Sequence, residues 1–137
     1  MKIKTENLEK QIKHSSKDSI KKLVESTPMT TFCAEIDNII KDSKITKSDI
    51  IKKTTLDRNY AYQILQGVKT GSKDKVIQLC LALKCDLATT NRLLTLSGNP
   101  KLYAKIKRDM LIIYSIENKY TVMDTNELLY TYNFEAL

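Results

Sequence analysis

From Thr30 onward the sequence keeps repeating one device: a side chain able to cap a helix, then apolar residues at intervals of three and four. Phe32, Ile36, Ile39 and Ile40 make the stripe of an amphipathic helix that should end near Asp42 and Ser43. Thr46-Lys-Ser-Asp49 sets an N-cap and an acidic residue three positions on, a variant of the capping box, before a short helix that carries Ile50 and Ile51 and ends at Thr54-Thr55. Asp57 caps the next, with Ala61, Ile64 and Leu65 inward and Gln66-Gly67 as the stop. Ser72 opens a longer helix with Val76, Leu79, Cys80 and Leu83 in register. Asp86 opens one with Leu87, Leu93, Leu94 and Leu96, ended by Ser97-Gly-Asn-Pro100. Five helices are therefore expected between Thr30 and Gly98. Beyond the proline, Ile106, Met110 and Ile113 form another stripe, and Thr121-Val-Met-Asp124 caps a last helix with Val122, Leu128, Leu129, Tyr130, Tyr132 and Phe134, which together make a helical hairpin.

Composition agrees with an all-α fold. Only three Gly and two Pro occur in 137 residues, too few for the turns between many short strands. Thr27-Pro28 marks a boundary, because the residue before proline is pushed out of the helical region. Three segments are expected: a basic N-terminal arm over 1–28, partly helical or disordered, with apolar residues only at Ile3, Leu8, Ile12, Ile20, Leu23 and Val24; a five-helix domain over 29–98; and the hairpin over 99–137, packed on it or dimerising. No internal repeat or low-complexity stretch appears. The longest apolar candidate, Met110 to Ile116, falls far short of the roughly 18 residues of a membrane span. The charged start, Met1-Lys-Ile-Lys-Thr-Glu, lacks the apolar region of a secretory signal, so cytoplasmic residence is expected.

Cys33, Cys80 and Cys85 read as reduced core residues. A metal site would need further ligands, yet Cys80-x4-Cys85 stands alone and the single histidine, His14, lies in the arm. No Gly-rich phosphate loop and no Ser/His/Asp or Cys/His set is present, which argues against an enzyme, a cofactor or a metal. No small-molecule ligand is evident. The distribution of charge is more informative than the net +7: residues 44–75 hold eight basic side chains against three acidic, whereas 109–137 hold five acidic against Lys119 alone. A basic middle and an acidic tail suggest that one part of the molecule faces a polyanion and another does not.

The stretch Ile45-Thr46-Lys-Ser-Asp-Ile50-Ile-Lys-Lys-Thr-Thr-Leu56-Asp-Arg-Asn-Tyr-Ala61-Tyr-Gln-Ile-Leu-Gln-Gly67, with Ser72 and the helix to Leu83, resembles a phage-repressor (Cro/C1, Xre-type) helix-turn-helix. Leu56, Asp57, Ala61, Ile64, Gly67, Val76, Leu79, Ala82 and Leu83 occupy the places that carry the resemblance. It implies a recognition helix that enters a major groove about 12 Å wide while its partner helix straddles the backbone. By position it implies base contacts from Arg58, Asn59 and Gln63, since Arg pairs bidentately with guanine and Asn or Gln with adenine, flanked by Tyr60 and Tyr62. It implies phosphate contacts from Lys47, Lys69 and Lys73. The sequence departs from the family at three positions: Lys47 replaces the usual Gln, Ile51 a small Ala where the two helices cross, and Thr55 a Gly of positive φ. Ile51 must alter the crossing or be packed around, and Thr55 implies a turn of different shape.

The expected function is sequence-specific binding of double-stranded DNA by a transcriptional regulator, a repressor on a pseudo-palindromic operator, dimerising through residues 102–137. The alternative is a protein-interaction module on a repressor-like scaffold that has lost specific DNA binding and uses the acidic, Tyr-rich hairpin.

Overall fold

The computed structural model describes residues 5–28 and 30–137. Ile3, with the rest of the first four residues of the expected arm, and Met29 lie outside the described residues. Among those described, every regular element is a helix, and none is long and apolar enough to cross a membrane. The chain forms two compact units, Met1–Thr30 and Thr31–Leu137.

The first unit contains α1 (Thr5–Lys13) and α2 (Lys17–Ser26). Glu6 in the first turn of α1 and Lys10 and Lys13 in its last complement the helix dipole. Ser16 and Ser19 form a reciprocal capping box at the head of α2, each side chain accepting the other's backbone N–H. Neither helix has a buried residue, so caps and charge, rather than packing, support them.

The second unit contains α3 (Phe32–Ser43), α4 (Lys47–Lys52), α5 (Arg58–Leu65), α6 (Lys73–Ala82), α7 (Leu87–Leu96), α8 (Lys107–Glu117) and α9 (Val122–Thr131). Its axis is α6. The run Val76-Ile-Gln-Leu-Cys-Leu-Ala82 is apolar on all sides but for one residue, and a helix of that kind must be covered on every face. It packs against α4, α7 and α9, while α3 meets α5 and α7, and α8 pairs with α9. The expected inward residues of α5, Ala61, Ile64 and Leu65, are fully buried, as are Val76, Leu79 and Cys80 of α6 and Leu93 and Leu94 of α7.

Six of these helices end on left-handed residues, which turn the chain back on itself. Only Gly67 (φ 79°) and Gly98 (φ 76°) are glycines; Lys44, Lys84, Lys119 and Asn133 adopt φ of 55–63°. Gly67 has a second constraint, since a Cβ there would lie 3.2 Å from Cys33 Cβ.

The hairpin differs from its sequence reading in which face it buries. Ile106 and Met110 are 51% and 53% exposed, and α8 instead turns Asp109, Ile112, Ser115 and Ile116 inward. The cause is charge pairing. Asp109 accepts both a bidentate bond from Lys73 Nζ (3.0 Å to each oxygen) and the Tyr103 amide (2.9 Å), and Arg108 forks onto Asp74 (3.0 Å twice) and onto the Glu135 carbonyl. Two crossed ion pairs thus fix α8 to the first turn of α6. In α9 the Thr121–Asp124 capping box forms as read, and Leu129 is core, whereas Tyr130 and Tyr132 are 82% and 58% exposed.

Candidate nucleic-acid interface

Two short helices joined by a tight turn build this surface. Thr46 Oγ1 accepts the Asp49 amide at 3.1 Å and starts α4; only this half of the expected capping box forms. Ile50 and Ile51 are buried, so the larger residue at the helix crossing has been packed around rather than expelled. After Lys52 the chain turns through Thr54 to Leu56. Thr55 is absent from the positive-φ residues, so the turn does take a shape that a β-branched residue tolerates.

The turn is held from behind. Gln78, the one polar side chain in the buried run of α6, accepts the Thr55 amide at 2.8 Å and donates to Thr55 Oγ1 at 2.9 Å. A buried amide needs such partners, and this one fixes the angle at which α5 leaves the turn. The signal was in the sequence: a lone Gln among apolar residues on a helix with no polar face must find a partner in another element.

Asp57 Oδ2 accepts the Tyr60 amide at 3.1 Å and starts α5. Arg58 and Asn59 are exposed in the first turn; Tyr60, Tyr62 and Gln63 are half-buried. The structure places all five expected base-contacting residues on this one helix, Arg58 and Asn59 in the open and Tyr60 and Tyr62 packed against the edge of the core. Gln63 also closes the helix, its carbonyl accepting the Val68 and Lys69 amides at 2.9 and 3.2 Å.

The aromatic rings of α5 are overlaid by cations. Arg58 Cζ lies 5.7 Å from the Tyr62 centroid, and Lys75 Nζ and Lys69 Nζ lie 4.2 and 5.9 Å from that of Tyr60. Each contact is worth about 0.5–1 kcal/mol at an exposed site. Lys75 was not among the expected site residues. Its place in the basic run was visible, but its position over Tyr60 depends on how α6 crosses α5.

The three expected phosphate-contacting lysines are placed differently. Lys69 is exposed in the loop after Gly67. Lys47 lies 3.7 Å from Asp37 Oδ1, a loose pair that leaves it half-exposed. Lys73 stands at the head of α6 but gives two of its ammonium bonds to Asp109. Among the described residues no cluster of three or more His, Cys, Asp and Glu is placed to hold a metal.

Residues 35–91, from within α3 to within α7, match the family model of the Cro/C1-type HTH DNA-binding domain. This segment is a domain of that type, with α4 and α5 as its two-helix motif. No curated protein and no solved structure gives a significant match to the chain.

Proposed function

We propose that this chain is a transcriptional regulator, acting as a repressor, whose α5 reads base edges in a specific duplex operator. The observation that carries this reading is the division of α5 into two faces: Ala61, Ile64 and Leu65 are fully buried, while Arg58 and Asn59 stand exposed in the first turn with the bidentate chemistry that guanine and adenine require. Gln63, Tyr60 and Tyr62 complete the base-facing set. Lys47 and Lys69 supply phosphate contacts, and Lys73 contributes through the ammonium N–H that Asp109 leaves over.

The protein acts as a dimer through residues 102–137 on a pseudo-palindromic site with half-sites about one helical turn apart. The exposed apolar side chains of the hairpin, Met110, Met123, Tyr130 and Tyr132, support that part of the reading. Sedimentation at micromolar concentration tests it, and a monomer overturns it.

Selection from a randomised duplex pool at two salt concentrations tests the DNA reading. Wild type is expected to enrich one motif, and the Arg58→Ala/Gln63→Ala variant to lose it, at about 1–3 kcal/mol of discrimination per bidentate contact. Retention at low salt without enrichment would overturn specific recognition. The same exposed hairpin residues favour a second reading, a protein-interaction module. Leu129 cannot test that reading because it is core. Loss of function confined to Tyr130→Ser/Tyr132→Ser would favour it; loss confined to the α5 variant would favour DNA.

A further inference from the structure

We propose that Cys80 and Cys85 form a modification site: a dithiol that a hydroperoxide oxidises to an intramolecular disulfide across the turn between α6 and α7. Cys80 is in the last part of α6 and Cys85 directly precedes Asp86, the N-cap of α7. The residue between the helices that makes their meeting possible is Lys84, whose φ of 57° folds the chain back so that the Cys85 amide donates to the Cys80 carbonyl at 3.0 Å. That is the six-residue closure of a Schellman turn, a motif whose two end residues commonly bring their side chains into contact.

The turn is also anchored. Lys84 Nζ donates to the Lys119 carbonyl at 2.8 Å, and Lys119 Nζ donates back to the Lys84 carbonyl at 3.2 Å. Within this fixed frame both thiols are free and buried, Cys80 completely and Cys85 with 8% of its surface reaching solvent. Their mutual interaction separates their acidities. Cys85 and burial push the Cys80 thiol well up, while Cys80 brings Cys85 down against burial and Asp86, with Lys119 and Arg92 also lowering it. Cys85, placed just before the N-cap of α7 and with part of its surface open to solvent, is the thiol of the pair that an oxidant reaches first. The third cysteine, Cys33, donates instead to the Leu65 carbonyl and Asp37.

The chemistry balances with one equivalent of hydroperoxide. The Cys85 thiolate sulfur attacks one peroxide oxygen, the O–O bond breaks, hydroxide leaves and takes a proton, and Cys85 becomes a sulfenic acid. The Cys80 sulfur then attacks the Cys85 sulfur, the S–O bond breaks, and the Cys80 proton leaves with the departing hydroxide as water. Two thiols are oxidised by two electrons and the peroxide is reduced to two waters, or to water and an alcohol.

The test uses the reduced full chain carrying Cys33→Ser, so that only the pair remains, treated with hydrogen peroxide and followed by intact mass. The expected result is loss of two hydrogen atoms per chain, a disulfide mapped between residues 80 and 85, and recovery of both on addition of dithiothreitol. Adding Cys80→Ser should halt the reaction at a Cys85 sulfenic acid that dimedone captures, whereas adding Cys85→Ser should leave Cys80 unlabelled. The proposal is overturned if the folded chain keeps both thiols while the urea-unfolded chain oxidises, if the disulfide forms between chains, or if dimedone labels the two single-cysteine variants equally. Circular dichroism checks that the variants fold, and the mass of the Cys33→Ser chain decides if they do not.

Discussion

Two helices of this chain carry the same aromatic pair at the same spacing, Tyr60 and Tyr62 on α5 and Tyr130 and Tyr132 at the end of α9, yet the pairs stand in opposite surroundings. Those of α5 are half-buried and each ring lies under at least one cation. Those of α9 are exposed, in a segment with five acidic residues against one lysine, and no cation overlies either among the described residues. Residues two apart on a helix point in different directions, so neither pair is a single aromatic face. What distinguishes them is what the neighbouring elements bring. The start of α6 and the loop after Gly67 bring lysines to α5, ordering a cationic surface suited to a polyanion. Among the described residues no cation is brought over α9, whose apolar surface suits another protein surface.

The comparison is broken most forcefully at the point where the two regions meet. Asp109 of α8 is buried and holds Lys73 at the head of α6, the helix that carries Lys75 over Tyr60. Removing one partner of a buried pair leaves the other uncompensated, at a cost of about 3–5 kcal/mol, somewhat less here because the Lys73 side chain is 23% exposed. Asp109→Ala is therefore expected to lower stability by about 3 kcal/mol in urea unfolding. It should also free Lys73 for phosphate, so that among molecules that remain folded the salt dependence of DNA binding steepens. If stability moved by only a few tenths of a kcal/mol, the hairpin would not be a support of α6 at all.

The pairs themselves give the next test. Tyr60→Ala removes the platform beneath two cations and is expected to cost about 1–2 kcal/mol of DNA affinity. Tyr130→Ser/Tyr132→Ser should leave the stability of the monomer within about 0.5 kcal/mol of wild type and its DNA affinity per monomer unchanged, while reducing self-association. Lys75→Ala should lower the slope of log affinity against log salt by about 0.9 if Lys75 reaches a phosphate. An unchanged slope with lowered stability would reduce Lys75 to a packing role over Tyr60.

How far the sequence could be read follows the range of the interactions. The helix starts at Thr46, Asp57, Asp86 and Thr121 were legible because a cap and its amide partner lie three residues apart, and the buried face of α5 because periodicity is local. The helix ends were legible near Ser43, where the apolar stripe stops, and at Gly67 and Gly98. Nothing in their side chains marks Lys44, Lys84 and Lys119 as left-handed, and their conformation is imposed by the helices they join. The inward face of α8 was not legible for a related reason. An apolar count favours Ile106 and Met110 inward, but partners 36 residues away in sequence turn a carboxylate into an interior residue. In the candidate interface the residues proposed to contact bases were visible as a cluster on one predicted helix. The lone Gln78 signals that it needs a partner but not that the partner is Thr55, and the placing of Lys75 over Tyr60 is a tertiary fact that no local pattern encodes.

The smallest effect separates folding from recognition. Asp57 and Thr121 do the same local work, each accepting an amide three residues on, at the heads of α5 and α9. Replacing either with Ala should cost about 1 kcal/mol of stability, because one first-turn donor loses its partner in both. Only in α5 does that first turn carry residues proposed to read DNA. Asp57→Ala is therefore expected to blur the selected motif at the positions read by Arg58 and Asn59, while Thr121→Ala, equally destabilised in urea, enriches the wild-type motif unchanged. Equal loss of the motif in both would mean that recognition follows global stability rather than the geometry of the first turn of α5. The contrast between the two tyrosine helices would then lose its functional meaning.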